Sequence, residues 1–253
     1  MIFPLLAVRL ALAALLPAAV IAAAAVIAVR GGMVPFSTGL EAMTASVALA
    51  AIALLLSLVW LVWALRHNRG DAKRMGMIAF FGSLLLLYVP LHTVYQGLVA
   101  PPIHDATTDP EDPPRFVALA KRPSGENATA FDPSEKISYR GEYNTVSYML
   151  HTYYTELTKP LALIMPPSKM FWRCFNAAKR MGWHIADYNE KEGRIEATAT
   201  SFWFGQVSNI VIRVRPAGTL GARFDMRTQS QTGARDFGRN LELLKSYRAK
   251  LGS

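Results

Sequence analysis

A single cysteine, Cys174, is the entire thiol complement of the 253 residues. No intrachain disulfide can form, and the redox state of the compartment cannot be read from thiols. Charge is nearly missing from the first hundred residues, which hold six Lys or Arg and only two acids, Glu41 and Asp71. Such a scarcity does not suit an ordinary water-exposed domain. Short catalytic signatures are missing throughout: no G-x-S-x-G, no H-E-x-x-H, no P-loop and no paired cysteines. His104, His151 and His184 lie too far apart in sequence to name a triad. No motif implies a cofactor.

What is present divides near Ala100. Residues 101–253 carry 21 basic and 16 acidic side chains, the mixture of a soluble domain. A domain of about 150 residues buries roughly two thirds of its surface on folding and needs no staples. Ahead of it, in a membrane region 1–100, three apolar stretches, 10–29, 43–65 and 75–99, are long enough for the ~30 Å of hydrocarbon that about 20 helical residues cross. Backbone in lipid must satisfy its own hydrogen bonds, so each is expected to be a spanning helix. The first carries AAVIAAAAVIA, a face of small residues that lets helices approach closely.

The loops orient these helices. Residues 66–74, RHNRGDAKR, hold Arg66, Arg69, Lys73 and Arg74, whereas residues 30–42 hold Arg30 alone. The cationic loop belongs in the cytoplasm, which places the amino terminus inside and everything after Val99 outside, in the periplasm of a bacterial inner membrane. The first run also has the outline of a signal peptide, though no Lys or Arg precedes Arg9; either reading delivers the soluble domain to the same side. In the third stretch Pro90 bends the run, and His92, Tyr88, Tyr95 and Gln96 are polar. His92 reads as a haem ligand or proton relay, or as a water-facing interfacial residue; no second histidine lies at membrane depth, and the tyrosines are boundary anchors.

From 101 to 139 the chain is expected to be an extended strap laid over the domain and spacing it from the bilayer. Its opening, PPIHDATTDPEDPPRF, has five prolines, which forbid a helix, and four acids. His104, Asp105, Asp109, Glu111 and Asp112 offer oxygen and imidazole ligands for a metal. Their order among prolines and threonines favours Asx-type turns instead, at Asp105 with Thr107 and at Asp109-Pro110. The folded domain proper, 140–253, follows. Tyr143–Leu157 has helical spacing, KPLALIMPP a short extended run, and PPSKMFWRCFNAAKRMGW an amphipathic helix with Cys174 on its apolar stripe and a stop at Gly182. WHIADY, RIEATATSF, NIVIRVR and ARFDMRTQS alternate with period two, and a last helix, Asp236–Leu251, starts on an Asp cap and repeats Phe237, Leu241, Leu244 and Leu251. The fold class is therefore an α-helical membrane anchor of three transmembrane helices plus a two-layer α+β domain, in which two helices pack on a half-wet antiparallel four-stranded sheet.

Three ordered runs, PPIHDATTDPEDPPRF, GWHIADYNEKEGRIEATATSFWFG and SQTGARDFGRN, resemble the bacterial and plant family called domain of unknown function 1499, over roughly 101–251. The resemblance implies that family's fold and carries over no activity, cofactor or partner. Many members have two acids where this chain has Ser208 and Asn209, and Ser-Arg where it has Ser230-Gln231. If those groups pair in relatives, the pairing is unavailable here.

Strand parity restricts which residues face one another. One register sets Glu196, Arg213 and Asp225 in a row, then Arg194, Arg215 and Arg223 in the next. Three arginines in line repel unless they splay into water or share an anion, so Arg194, Arg215 and Arg223 are candidate anion-binding residues on a wet face, for a lipid phosphate or a sugar acid. The alternative is an ordinary solvated face with another register. Phe202, Trp203 and Phe204 are a candidate interface for a bilayer or partner, or a cluster that closes the core. These readings favour a membrane-anchored periplasmic binding or scaffold protein, with the lipid bilayer, anionic headgroups or another envelope protein as partners and no nucleic acid. The alternative is a cell-envelope enzyme with its site near His104 and Asp105.

Overall fold

The computed structural model describes residues 2–67, 70–121, 127, 130–159, 161–203, 205–233 and 236–252. The chain divides into two compact units, Met1–Tyr95 with Phe202–Gly205, and Gln96–Ser201 with Gln206–Ser253.

Three helices build the first unit: α1 (Ile2–Arg30), α2 (Phe36–Arg66) and α3 (Gly70–Val99), the last running on into the second unit. Each contains a stretch long and apolar enough to cross a membrane, namely Leu6–Arg30, Phe36–Arg66 and Lys73–His92. Small side chains form the seams. Ala7, Ala11, Ala18, Ala22 and Ala25 are buried on α1, and Gly39, Ser46, Ala50, Ala53, Ser57 and Ala64 on α2, at steps of three, four and seven residues that keep to one helix face. Ser46 donates its hydroxyl to the Ala18 carbonyl at 2.7 Å, a bond that close backbone approach makes possible. Trp60 lies against Gly76 of α3, where a Cβ would come within 2.3 Å of the indole Cδ1. His92 is exposed on α3 and stacks on Tyr88, with ring centroids 5.9 Å apart.

In the second unit, β5 (His184–Asn189), β6 (Arg194–Thr200), β7 (Val207–Ala217) and β8 (Gly221–Ser230) form the anticipated antiparallel meander. The sheet nevertheless has six strands rather than four, because β1 (Asp105–Thr107) and β4 (Leu161–Leu163) both pair antiparallel with β8. Strands of three residues are too short to display an alternation, which is why the sequence does not reveal them. A separate hairpin, β2 (Lys136–Tyr139) with β3 (Glu142–Thr145), turns through Arg140 and Gly141, both with positive φ. This pairing delays the following helix, α4, to Val146–Tyr153, where the Thr145 hydroxyl caps the Tyr148 amide at 3.2 Å.

Helices α5 (Pro167–Arg180) and α6 (Arg239–Gly252) cover one face of the sheet. Proline occupies the first turn of α5, where its missing N–H costs nothing. Met170, Phe171, Cys174, Ala177 and Ala178 meet Ile195, Ala197, Ile210, Ile212, Phe224 and Met226 in one core. Tyr247 of α6 is fully buried there, stacked on Trp183 at 5.0 Å, and donates to the Cys174 carbonyl at 2.7 Å. Asp236 does cap α6, accepting the amides of Gly238 and Asn240 at 2.9 and 2.7 Å. Phe237, in contrast, is not part of the buried stripe: its φ of 53° sets it outside the helix, 41% exposed.

The second face of the sheet is not wet. Glu196, Asp225, Arg227 and Gln229 are fully or almost fully buried, because the strap lies across them as a third layer. The expectation of two layers with a solvated face is corrected on this point. A stretch read as a spacer is part of the domain's interior wall.

Candidate functional site

The face under the strap gathers most of the polar residues that the sequence offered for chemistry. Its register differs from the one anticipated in one strand. Between β7 and β8, Arg213 opposes Asp225 and Arg215 opposes Arg223, as expected. Between β6 and β7, however, Arg194 opposes Arg213 and Glu196 opposes Val211, a slide of two residues. Parity alone permits any even slide, and here pairing begins at Thr200 with Val207, directly beside a loop closed by the Ser201 amide on the Gln206 carbonyl. Arg194, Arg215 and Arg223 therefore do not form one row.

Nor do they await an outside anion. Arg194 contacts Asp187 at 2.7 Å, Glu192 at 3.1 Å and Glu196 at 2.5 Å. Arg215 contacts Asp112 at 2.6 Å, Asp225 at 2.8 Å and Asp109 at 3.2 Å. Arg223 reaches Asp109 at 3.5 Å and Asp225 at 4.0 Å. Arg213 gives two hydrogen bonds to the same Asp225 oxygen, at 3.1 and 2.9 Å, and one to the Asp112 carbonyl at 2.6 Å. The anions are the domain's own carboxylates, Asp109 and Asp112 from the strap and Asp187, Glu192, Glu196 and Asp225 from the meander. The hydrogen bond from Arg215, reinforced by the Arg213 charge, holds the Asp112 carboxyl below the usual range. Asp225 Oδ1 and Arg215 Nε are buried without a partner among the described residues.

Two further clamps hold the strap down. Asp105 receives Arg227 Nε at 2.8 Å and Nη2 at 2.6 Å, a bidentate pair, and Gln229 Nε2 at 2.8 Å. The Arg227 guanidinium lies between the rings of Phe116 and Phe131, 5.1 and 5.5 Å from their centroids. Asp105 thus makes an ion pair across the sheet, and the Asp109 turn forms, with the Asp112 amide 3.2 Å from Asp109 Oδ1. On the other side, Glu196 accepts the consecutive amides of Val117, Ala118 and Leu119 at 2.8, 3.1 and 2.8 Å, from a 3₁₀ turn at Ala118–Ala120. Three successive amides make a cradle for a carboxylate.

Of the residues proposed for a metal or enzyme site, Asp109 and Asp112 meet on Arg213 and Arg215, and His104, Asp105 and Glu111 have other partners. Asp105 is buried on Arg227, while His104 has Glu135 at 3.8 Å and Glu111 has His151 at 3.5 Å. Among the described residues no three His, Cys, Asp or Glu side chains converge as a metal-binding set. A cleft of about 490 Å³ opens beside the second clamp, lined by Glu111, Arg115, Phe116, Phe131 and Arg227 among others. Phe202 and Trp203 stack edge to face at 5.1 Å and are 76% and 44% exposed, so they do not close a core; Phe204 lies outside the described residues.

The family model described as "Protein of unknown function (DUF1499)" matches residues 105–251, more than half of the chain. The chain belongs to the DUF1499 family. No curated protein matches it. In this DUF1499 domain the match begins at Asp105, the strap's first buried clamp, and so includes the strap with the sheet it covers. The two departures noted in the sequence prove to be neighbours: Gln231 Nε2 donates to Asn209 Oδ1 at 2.9 Å. A neutral amide bond stands at these positions. Beside it, Asn240 donates to the His104 carbonyl and the Ser230 hydroxyl at 2.8 and 3.0 Å, tying β1 and β8 to α6. Burial pushes Asp236 up to about 6 in the same cluster. Sequence reading missed the Asp105–Arg227 clamp and the cradle on Glu196. The available signal was the presence of several acids in a strap and several arginines on one sheet face within a single domain.

Proposed function

We propose that the protein is a membrane-anchored binding or scaffold protein of the cell envelope, with its DUF1499 domain presented on the periplasmic side of the inner membrane. Three apolar helices supply the anchor, and the excess of cations in 66–74 over 30–42 supports the orientation. The observation that carries a non-catalytic reading is the occupancy of the polar face. The buried carboxylates Asp105, Glu196 and Asp225 are each engaged by arginines or amides of the same domain. A general base or a metal ligand needs a lone pair aimed at substrate; Asp105 is aimed at Arg227, Glu196 at the strap's amides, and Asp225 Oδ2 at Arg213 and Arg215. The cleft beside Arg227 offers aromatic walls and a guanidinium already bound to Asp105, which suits contact and not chemistry.

The reading is tested in cells. Protease added to spheroplasts with sealed membranes should digest residues after Val99 and spare them if that side faces the cytoplasm; digestion only after lysis overturns the location. Crosslinking in intact cells, followed by identification of what co-purifies, should return an envelope component. A reaction catalysed by the purified chain and abolished by Asp105→Asn would restore the enzyme reading.

A further inference from the structure

The positive charge of the soluble part is not spread evenly. Residues 101–253 carry a net +5. Helix α5 has four cations and no acid, and α6 has Arg239, Lys245, Arg248 and Lys250 against Glu242 alone. The two helices together hold +7, so the remainder of 101–253 is net −2. The cause is the strap. On the sheet's strap side arginine is matched by carboxylate, whereas the helix side has only Glu242 among the acids of α5 and α6.

The cations of the helix layer divide by what they touch. Arg173 donates to the Leu251 carbonyl, and Arg248 to the carbonyls of Glu156, Leu157 and Lys159, so these two serve the fold. Lys169, Lys179, Arg180, Lys245 and Lys250 are exposed. On α5 the exposed positions Lys169, Trp172, Asn176, Lys179 and Arg180 fall three and four residues apart, on one stripe. Trp172 is 41% exposed in the middle of that stripe and packs edge-on to Phe175 at 5.4 Å and to Tyr188 at 6.2 Å, with Tyr188 itself 50% exposed. Lys179 Nζ lies 4.9 Å from the Phe175 ring centroid.

We propose that the outer face of α5, with Lys169, Trp172, Lys179, Arg180 and Tyr188, is a docking surface for an anionic lipid bilayer. Amphipathic aromatic rings between lysines match the headgroup boundary, where the ring enters the acyl edge and the ammonium meets phosphate. Charge complementarity selects an anionic surface, and a chain with three membrane-compatible helices keeps a bilayer within reach. The inference names the ligand class of the binding function proposed above and rests on that reading.

The test uses the full chain with Asn176→Cys carrying an environment-sensitive fluorophore, in nanodiscs of phosphatidylcholine alone or mixed with phosphatidylglycerol. Cys174 does not compete for label, since it is fully buried and burial pushes its thiol up to about 12. In anionic discs the emission should shift to the blue and acrylamide quenching should fall severalfold. High salt should reverse both effects, as should the triple variant Lys169→Gln, Lys179→Gln, Arg180→Gln, whose sites are exposed and whose fold is checked by near-UV circular dichroism. Lys245→Gln with Lys250→Gln, off the stripe, should change little. Equal signals in the two discs overturn the proposal, and this is also the outcome if the face serves an acidic protein instead. An equal response from a second probe at Glu111→Cys, on the strap, overturns the assignment to this face. Such failures leave the anchored-scaffold reading standing, because that reading falls on protease accessibility.

Discussion

Asp105 and Arg227 are 4% and 1% exposed and bind each other through two hydrogen bonds, so neither charge has water to fall back on. Removing one partner strands the other. Asp105→Ala should lower unfolding free energy by about 3–5 kcal/mol, read from urea midpoints, well beyond the ~1 kcal/mol of a lost turn bond. The double replacement Asp105→Leu with Arg227→Met should recover much of that loss, because an apolar pair of similar volume leaves no orphan charge. Asp236 presents the opposite electrostatic case. Burial raises its folded value to about 6, above the ~3.9 of an unfolded aspartate, so the folded state holds the proton more tightly between those values. The stability contributed by this group is complete below about pH 4 and is lost as pH rises through 6. Asp236→Asn keeps an oxygen for the cap and cannot titrate. The stability difference, native minus variant, should therefore fall between pH 4 and 7 by on the order of 2 kcal/mol; a difference independent of pH contradicts this.

At the scale of elements, the strap and the sheet hold each other by reciprocal bonds: strap acids accept sheet arginines, and strap amides donate to a sheet glutamate. Glu196→Gln should keep the fold and loosen the strap locally. Faster amide exchange at Val117, Ala118 and Leu119, with α5 unchanged, is the expected signature, since a neutral acceptor bonds amides more weakly than a carboxylate. The β5–β6 turn depends on Gly193, whose φ is 67° and whose absent Cβ leaves room for the Val214 carbonyl; a Cβ would meet that oxygen at 2.1 Å. Gly193→Ala should break the Val214 N–H bond to the Gly193 carbonyl, 2.7 Å long, and reduce stability by several kcal/mol, more than the 1–2 kcal/mol usual for a strained left-handed residue. Elements also explain what sequence pattern could reach. The meander and both covering helices are long enough for periods of two and 3.6 to show, whereas β1, β2, β3 and β4 have three or four residues, too few to establish a period.

For the whole molecule, the division of charge follows the division of layers. Arginines on the sheet were open to reading as a ligand site because three like charges in a row need an anion; the register puts Arg194 in another row, and Arg215 and Arg223 meet carboxylates of the same domain. The excess of positive charge lies instead on the helices, where α5 has four cations and no acid and α6 four cations against Glu242. Binding to an anionic surface should then weaken with salt through Lys169, Lys179 and Arg180 and be indifferent to Arg194, Arg215 and Arg223, a contrast that co-sedimentation of paired variants measures.

Composition and periodicity alone determined that three helices are apolar enough to span a membrane and that an antiparallel meander carries two amphipathic helices, while the resemblance of three ordered runs pointed to the DUF1499 family. These are local properties: a run of apolar residues or a repeat of fixed period is written within a dozen neighbouring positions. Tertiary structure decided the rest, namely the slide of β6 by two residues, the burial of the second sheet face, and the pairing of Asp105 with Arg227 across 122 positions. Parity leaves even slides equal in sequence, and a proline-rich strap reads the same whether it hangs in water or closes over arginines. Only the matching of each buried charge to a partner, a requirement of low-dielectric packing, separates those alternatives.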